Sequence, residues 1–259
     1  MYMRVAIIHY CREGSEYLHF YDDHVAAVQA CLAHYNWANG ADRGVLAECL
    51  TSVCESSYGS AAERVQIATM LINKGTSVNS LGLALIAACR YERQELASLL
   101  LDRGANPNYQ LSGPPLVIVC RVYGPRTLAL ARMLLDRGAD PRLCDDFGMT
   151  PLHLTCSLFL PWGGREFRSL DLVRLLLERG AGSTIYQKDR EGRTVLDHVQ
   201  HPRTWVGATR TNTEMKPLKA LLRKHFTIVI RKCVIGGNAE HPSRNRMKHL
   251  APRMASFLI

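Results

Sequence analysis

The chain has 259 residues, of which 47 % are hydrophobic and 21 % charged, with a formal net charge of +9. That is the composition of an ordinary globular protein, long enough for one large core or several repeats, and no apolar run approaches the ~20 residues a membrane helix needs. Ten of the 32 Lys and Arg residues but one of the 23 acids lie from Lys216 onward, so the positive charge belongs to the C-terminal segment and the rest is balanced.

The N-terminal apolar run, Val5 to Ile8, is too short for a signal-peptide core, and no secretion is expected. Nine cysteines, an odd number with no Cys-x-x-Cys pair, argue against a disulfide framework or a Cys-rich zinc site and point to reduced thiols. "SEYLHFYDDHVAAVQACLAHY" reads as a helix whose apolar side includes Val28 and Leu32, suited to cover one end of a larger assembly. His19, Asp22, Asp23 and His24 on it have partly metal-like spacing. With no ligand elsewhere to complete a site, they read as a solvated face.

From there a pattern recurs. "IATMLINKGTSVN" (67–79), "LASLLLDRGANPN" (96–108), "LARMLLDRGADPR" (130–142) and "LVRLLLERGAGST" (172–184) are amphipathic helices ended by a basic residue and a glycine. Gly75, Gly104, Gly138 and Gly180 stand where left-handed C-terminal caps are needed. Each helix follows a shorter one: "CLTSVC" (49–54), "ALIAAC" (84–89), "PLVIVC" (115–120) and "PLHLTC" (151–156). In all four a Cys lies four residues after a Leu, which marks Cys54, Cys89, Cys120 and Cys156 as small buried packing residues. In "DDFGMTPLHLTC" (145–156), Asp146 and Gly148 suit a tight turn, Thr150 an N-cap and Pro151 the first helical position.

Thr-Pro-Leu-His, then a helix–loop–helix ending in Leu-Leu-x-x-Gly-Ala, with a period near 33, resembles the ankyrin repeat. "DREGRTVLDHV" (189–199) resembles the start of another copy, and the resemblance covers about Leu46 to Lys224. It implies an all-α, ankyrin-type solenoid of antiparallel helix pairs joined by hairpin-like loops. The expected organisation is a helical cap over 1–45, five repeats over 46–79, 80–110, 111–144, 145–187 and 188–225, and a basic tail over 226–259. It also implies that His153 ties neighbouring loops by hydrogen bonding, and that loop tips and first helices face a protein partner. The candidate contacts are then Asn108, Tyr109, Gln110, Arg142, Asp145, Asp146, Phe147, Tyr186, Gln187, Lys188 and Arg190.

Two insertions interrupt the pattern. "SLFLPWGGREFRS" (157–169) lengthens one inter-helix loop by nine residues relative to the family. Its Trp162 and Arg165 have hot-spot composition and are candidate contacts; the alternative is that its aromatics fold back over the helix ends, since Trp and Phe are usually covered. "QHPRTWVGATRTNTEM" precedes a last helix, "KPLKALLRKHF" (216–226), and "TIVIRKCVI" reads as an added strand or packed segment.

The scattered bases of the tail give a second binding reading, to nucleic acid or an acidic surface. No phosphate loop, Gly-x-Ser-x-Gly or metal quartet occurs, and Asp197 and His198 are neighbours that diverge on a helix. The expectation is therefore a non-catalytic protein-binding module inside the cell, in cytoplasm or nucleus, with no cofactor, no metal, no membrane span and no small-molecule substrate.

Overall fold

A computed structural model describes residues 25, 28–29, 32–33, 40–56, 59–122, 124–157, 166–200 and 216–224. The helices are α1 (Gly40–Glu55), α2 (Ala61–Asn73), α3 (Val78–Arg90), α4 (Gln94–Asp102), α5 (Pro115–Val122), α6 (Thr127–Asp136), α7 (Pro151–Ser157), α8 (Glu166–Glu178) and α9 (Val195–Gln200). A 3-10 turn spans Ala181–Thr184, and residues 216–224 are helical. No β-strand occurs among the described residues. Helix α1 begins at Gly40, six residues before the expected start of the first repeat.

The helices form two layers. The first helices α1, α3, α5, α7 and α9 pack in chain order, each on the next; α2, α4, α6 and α8 do the same; and each pair is joined across the layers. Every repeat thus buries its apolar face only against its neighbours, the arrangement that makes a solenoid. At the N-terminal end, Val25, Val28 and Leu32 are helical and buried.

The apolar periodicity explains the core. Leu50, Leu85, Leu116 and Leu152 from the first helices, and Leu71, Leu100, Leu134 and Leu176 from the second, are fully buried. Truncating such a leucine to alanine costs about 2–5 kcal/mol. Cys54, Cys89, Cys120 and Cys156 are completely buried as well, as the Leu–Cys spacing predicts.

Chain reversals follow from local chemistry. Gly104 and Gly138 adopt φ of 87° and 88°. Each lets the next amide reach back into the helix, Ala105 N–H to Leu100 O and Ala139 N–H to Leu134 O, both at 2.9 Å. Helix α2 opens with a reciprocal capping box, Glu63 N–H to Ser60 Oγ at 3.1 Å and Ser60 N–H to Glu63 Oε2 at 2.8 Å.

The motif Leu-Leu-Asp-Arg-Gly has a further role on the outer face. The Arg that follows α4, α6 and α8 reaches the residue before the cap in the preceding repeat. Arg103 donates to Asn73 at 3.2 Å, Arg137 pairs with Asp102 at 2.7 Å, and Arg179 pairs with Asp136 at 2.7 Å. These rungs are solvent-facing, and each is worth ~1 kcal/mol or less. On the loop side, Glu92, itself at φ 53°, accepts the Arg126 N–H at 3.0 Å and so caps α6 from the preceding repeat.

At Gly82 the absence of a side chain is set by a ring packed against the helix. A Cβ on Gly82 of α3 would lie 2.4 Å from Cγ of Tyr109, whose ring folds back over that helix. Gly82→Ala should therefore destabilise the protein by about 1–3 kcal/mol through overpacking. In a Tyr109→Ala background the same change should stabilise it by up to ~1 kcal/mol, the helix preference of Ala over Gly. Urea denaturation of the four proteins of this double-mutant cycle measures both signs.

Candidate interaction surface

Three hairpin tips align residue by residue: Asn108 to Leu116, Cys144 to Leu152, and Lys188 to Leu196. In the last two, an aspartate builds the turn. Asp145 Oδ1 accepts the N–H groups of Phe147 (2.8 Å) and Met149 (2.9 Å). Asp189 Oδ1 accepts those of Glu191 (2.9 Å) and Arg193 (2.8 Å). The amides of Gly148 and Gly192 close onto the carbonyls of Asp145 and Asp189, with φ of 74° and 78°.

The turn residue is therefore Asp145, one position before the Asp146 expected from sequence. Its side chain is 1 % exposed and paired with Arg121 from the last turn of α5. The preceding tip has Tyr109 in the aspartate position, the ring that lies on Gly82. Successive tips are bonded directly, Arg190 N–H to Phe147 O at 2.9 Å. A Cβ on Gly148 would stand 3.2 Å from the Asp189 Cα.

The Thr-Pro-Leu-His segment locks the tip to α7. Thr150 Oγ1 accepts the His153 N–H at 3.4 Å, as an N-cap, and lies 2.8 Å from His153 Nδ1. His153 Nε2 is 3.0 Å from the carbonyl of Gln187, at the start of the following hairpin. A carbonyl only accepts, so Nε2 carries the proton and Nδ1 accepts from the Thr150 hydroxyl. This is the tie between neighbouring loops that the resemblance implies. Burial, reinforced by the nearby His198, pushes the His153 pKa down to about 4, so the ring is neutral.

In the following repeat the neighbours Asp197 and His198 do diverge. Asp197 Oδ2 accepts from the Thr194 N–H and hydroxyl, both at 2.8 Å. His198 Nε2 donates to Asp189 Oδ2 at 2.9 Å. Burial alone would raise the Asp189 pKa; the Arg193 amide, the His198 ring and the Arg193 guanidinium together hold it below the usual carboxylate range. Among the described residues no cluster of His, Cys, Asp and Glu could hold a metal ion, and no helix is long and apolar enough to cross a membrane.

The candidate contacts thus divide. Asp145 is buried inside the turn. Asn108 bridges two repeats, donating to Gly138 O at 3.0 Å and accepting the Asp140 N–H at 2.7 Å. Tyr109 and Tyr186 are half-buried against the core, and Gln187 is half-buried with its carbonyl on His153. Arg142 is exposed, but its guanidinium grips Asp140 through two 2.9 Å bonds. Gln110, Asp146, Phe147, Lys188 and Arg190 are exposed on the tips.

Leu111, 58 % exposed, joins them. Sequence reasoning missed it, although it shares the register position of Phe147, five residues before the first leucine of the next helix. Trp162 and Arg165, the His19–His24 cluster, and the expected strand and basic tail beyond residue 224 lie outside the described residues.

Residues 83–110 and 147–190 match the family model of the ankyrin repeat. No curated protein matches the chain.

Two measurements test the chemistry of this region. Unfolded, His153 takes a proton near pH 6.5; folded, it does so only near 4. Between these values the unfolded state binds more protons, so stability falls as pH drops through that window, by about 3 kcal/mol in all. Asp189, held low, adds loss in the same direction at still lower pH. Urea titrations at pH 7 and at steps down to pH 4 report the slope. Burial pushes the Cys54, Cys120 and Cys156 thiols up to about 12, and that of Cys89 strongly up. Iodoacetamide mapped by mass spectrometry should leave all four unmodified at pH 8 in the native protein and alkylate them after unfolding.

Proposed function

We propose that this chain, a member of the ankyrin repeat family, is a non-catalytic module that binds a partner protein through its hairpin tips. Repeats of this family generally mediate protein–protein interaction and are typically not enzymes. The observation that carries the reading is a division of roles. Among the described residues His153, His198, the buried carboxylates and the repeat-position thiols are engaged in turn, cap and packing contacts, while a 62 %-exposed Phe147 stands at a rigid tip. An exposed aromatic beside a cation is the composition of an interface anchor, and fixing the backbone beneath it lowers the ordering cost of binding.

The proposed contacts are Gln110, Leu111, Asp146, Phe147, Lys188 and Arg190, with Arg142 at the margin. Trp162 and Arg165 remain candidates on their composition alone. The proposed place of action is inside the cell, in cytoplasm or nucleus, supported by six described cysteines that stand as thiols.

Affinity capture from nuclease-treated lysate with the full chain tests the reading. A protein retained through a high-salt wash should be lost, by tenfold or more, from Phe147→Asp. It should be retained by Arg132→Glu, a change on the exposed outer face of α6. Equal capture by both variants would refute the tips as the binding surface.

A further inference from the structure

The tips place equivalent residues one repeat apart. Leu111 and Phe147, 58 % and 62 % exposed, occupy the same position in consecutive tips. In the third tip, Lys188 and Arg190 are exposed, and among the described residues no ion pair engages either side chain. Glu191, which holds the register position of Leu111 and Phe147 in this tip, is paired with Arg193 at 2.9 Å, which leaves Lys188 and Arg190 flanking it as the free charges. Asp146 is exposed between the two zones and offsets one of the two positive charges. The row therefore runs from apolar to net basic along the stack.

Its pitch selects a ligand conformation. Packed helices lie about 8–10 Å apart, which sets the step from one tip to the next. A β-strand turns its side chains to alternate faces, so residues one step apart, about three along, point oppositely. A polyproline II segment has three residues per turn at ~3.1 Å each and presents the same face every ~9 Å. Of these two extended conformations, only the second repeats at the pitch of the tips.

Resting on the function proposed above, we propose that the row from Leu111 through Phe147 to Lys188 and Arg190 docks a polyproline II segment of the partner protein. That segment carries apolar side chains three residues apart, with a carboxylate a further three or four residues along. The apolar residues lie on Leu111 and Phe147, and the carboxylate pairs with Lys188 and Arg190.

Phage-displayed random dodecapeptides, selected on the full chain and counter-selected on Phe147→Asp, test this. The expected enrichment is apolar-x-x-apolar followed by Asp or Glu at the third or fourth position beyond. A synthetic peptide of the enriched sequence should lose tenfold or more in affinity on Phe147→Asp. It should lose as much on the double variant Lys188→Glu and Arg190→Glu, and nothing on Arg132→Glu. Replacing its acid by Lys should restore binding to the charge-reversed protein. Circular dichroism checks that each variant is folded, which surface changes should leave intact.

No enrichment, sequences without the three-residue spacing or the acid, or binding indifferent to the tip variants overturns the proposal. So does tip-dependent binding of a dT20 oligonucleotide in place of peptide. If the lysate partner is still lost from Phe147→Asp while the peptides fail, the tip surface stands and only the ligand class falls.

Discussion

Burying a carboxylate costs several kcal/mol unless its oxygens are met by donors. Asp145 and Asp189 are buried to 1 % and 2 % side-chain exposure, and both are met. One oxygen of each gathers two backbone N–H groups of its own turn; the other takes Arg121 in the first case, and His198 with Arg193 in the second. Each carboxylate therefore fixes a turn to a helix, and the tips project from rigid ground. Remove the donors and the same groups would oppose the fold. Burial at these sites is tolerable because charge, turn and helix arrive together.

The contrast between the two sides of the molecule follows from what each leaves unmet. On the outer face, guanidinium meets carboxylate or carboxamide from repeat to repeat. At the second and third tips, Asp145, Asp189 and the bond between Phe147 and Arg190 hold the turn backbone, while Asp146, Phe147, Lys188 and Arg190 stay exposed. A surface with its backbone held in place and its side chains exposed is a stable place to vary sequence, which is why loops on rigid scaffolds carry recognition.

Much of this was legible in the sequence wherever the cause is local. The glycine caps, the Leu–Cys spacing and the Thr-Pro helix start involve residues within five of one another, and periodicity exposes them. Roles that depend on a partner more than twenty residues away in sequence were not. Asn108 is held by Gly138 and Asp140, Asp145 by Arg121, and Tyr109 by the space above Gly82. All three look like solvated tip residues when read along the chain. The capping box at Ser60 and Glu63 was local and readable, but it sits in the least regular repeat. Leu111 was hidden because Ser112-Gly113-Pro114 replaces the Gly-x-Thr that marks the register elsewhere.

The outer rungs carry a consequence for how such a chain can change length. In Asp102-Arg103 and Asp136-Arg137 the two halves of a rung are neighbours in sequence but never partners, since each residue serves a different junction. A tandem duplication of either unit would copy one acid and one base together. Every new junction would then find its complement already present, and loss of one unit would reunite the flanking halves. The heredity of the stack is therefore tolerant at its outer face. The tips, which pair no such interchangeable halves, would record each event as a change in the order of exposed side chains.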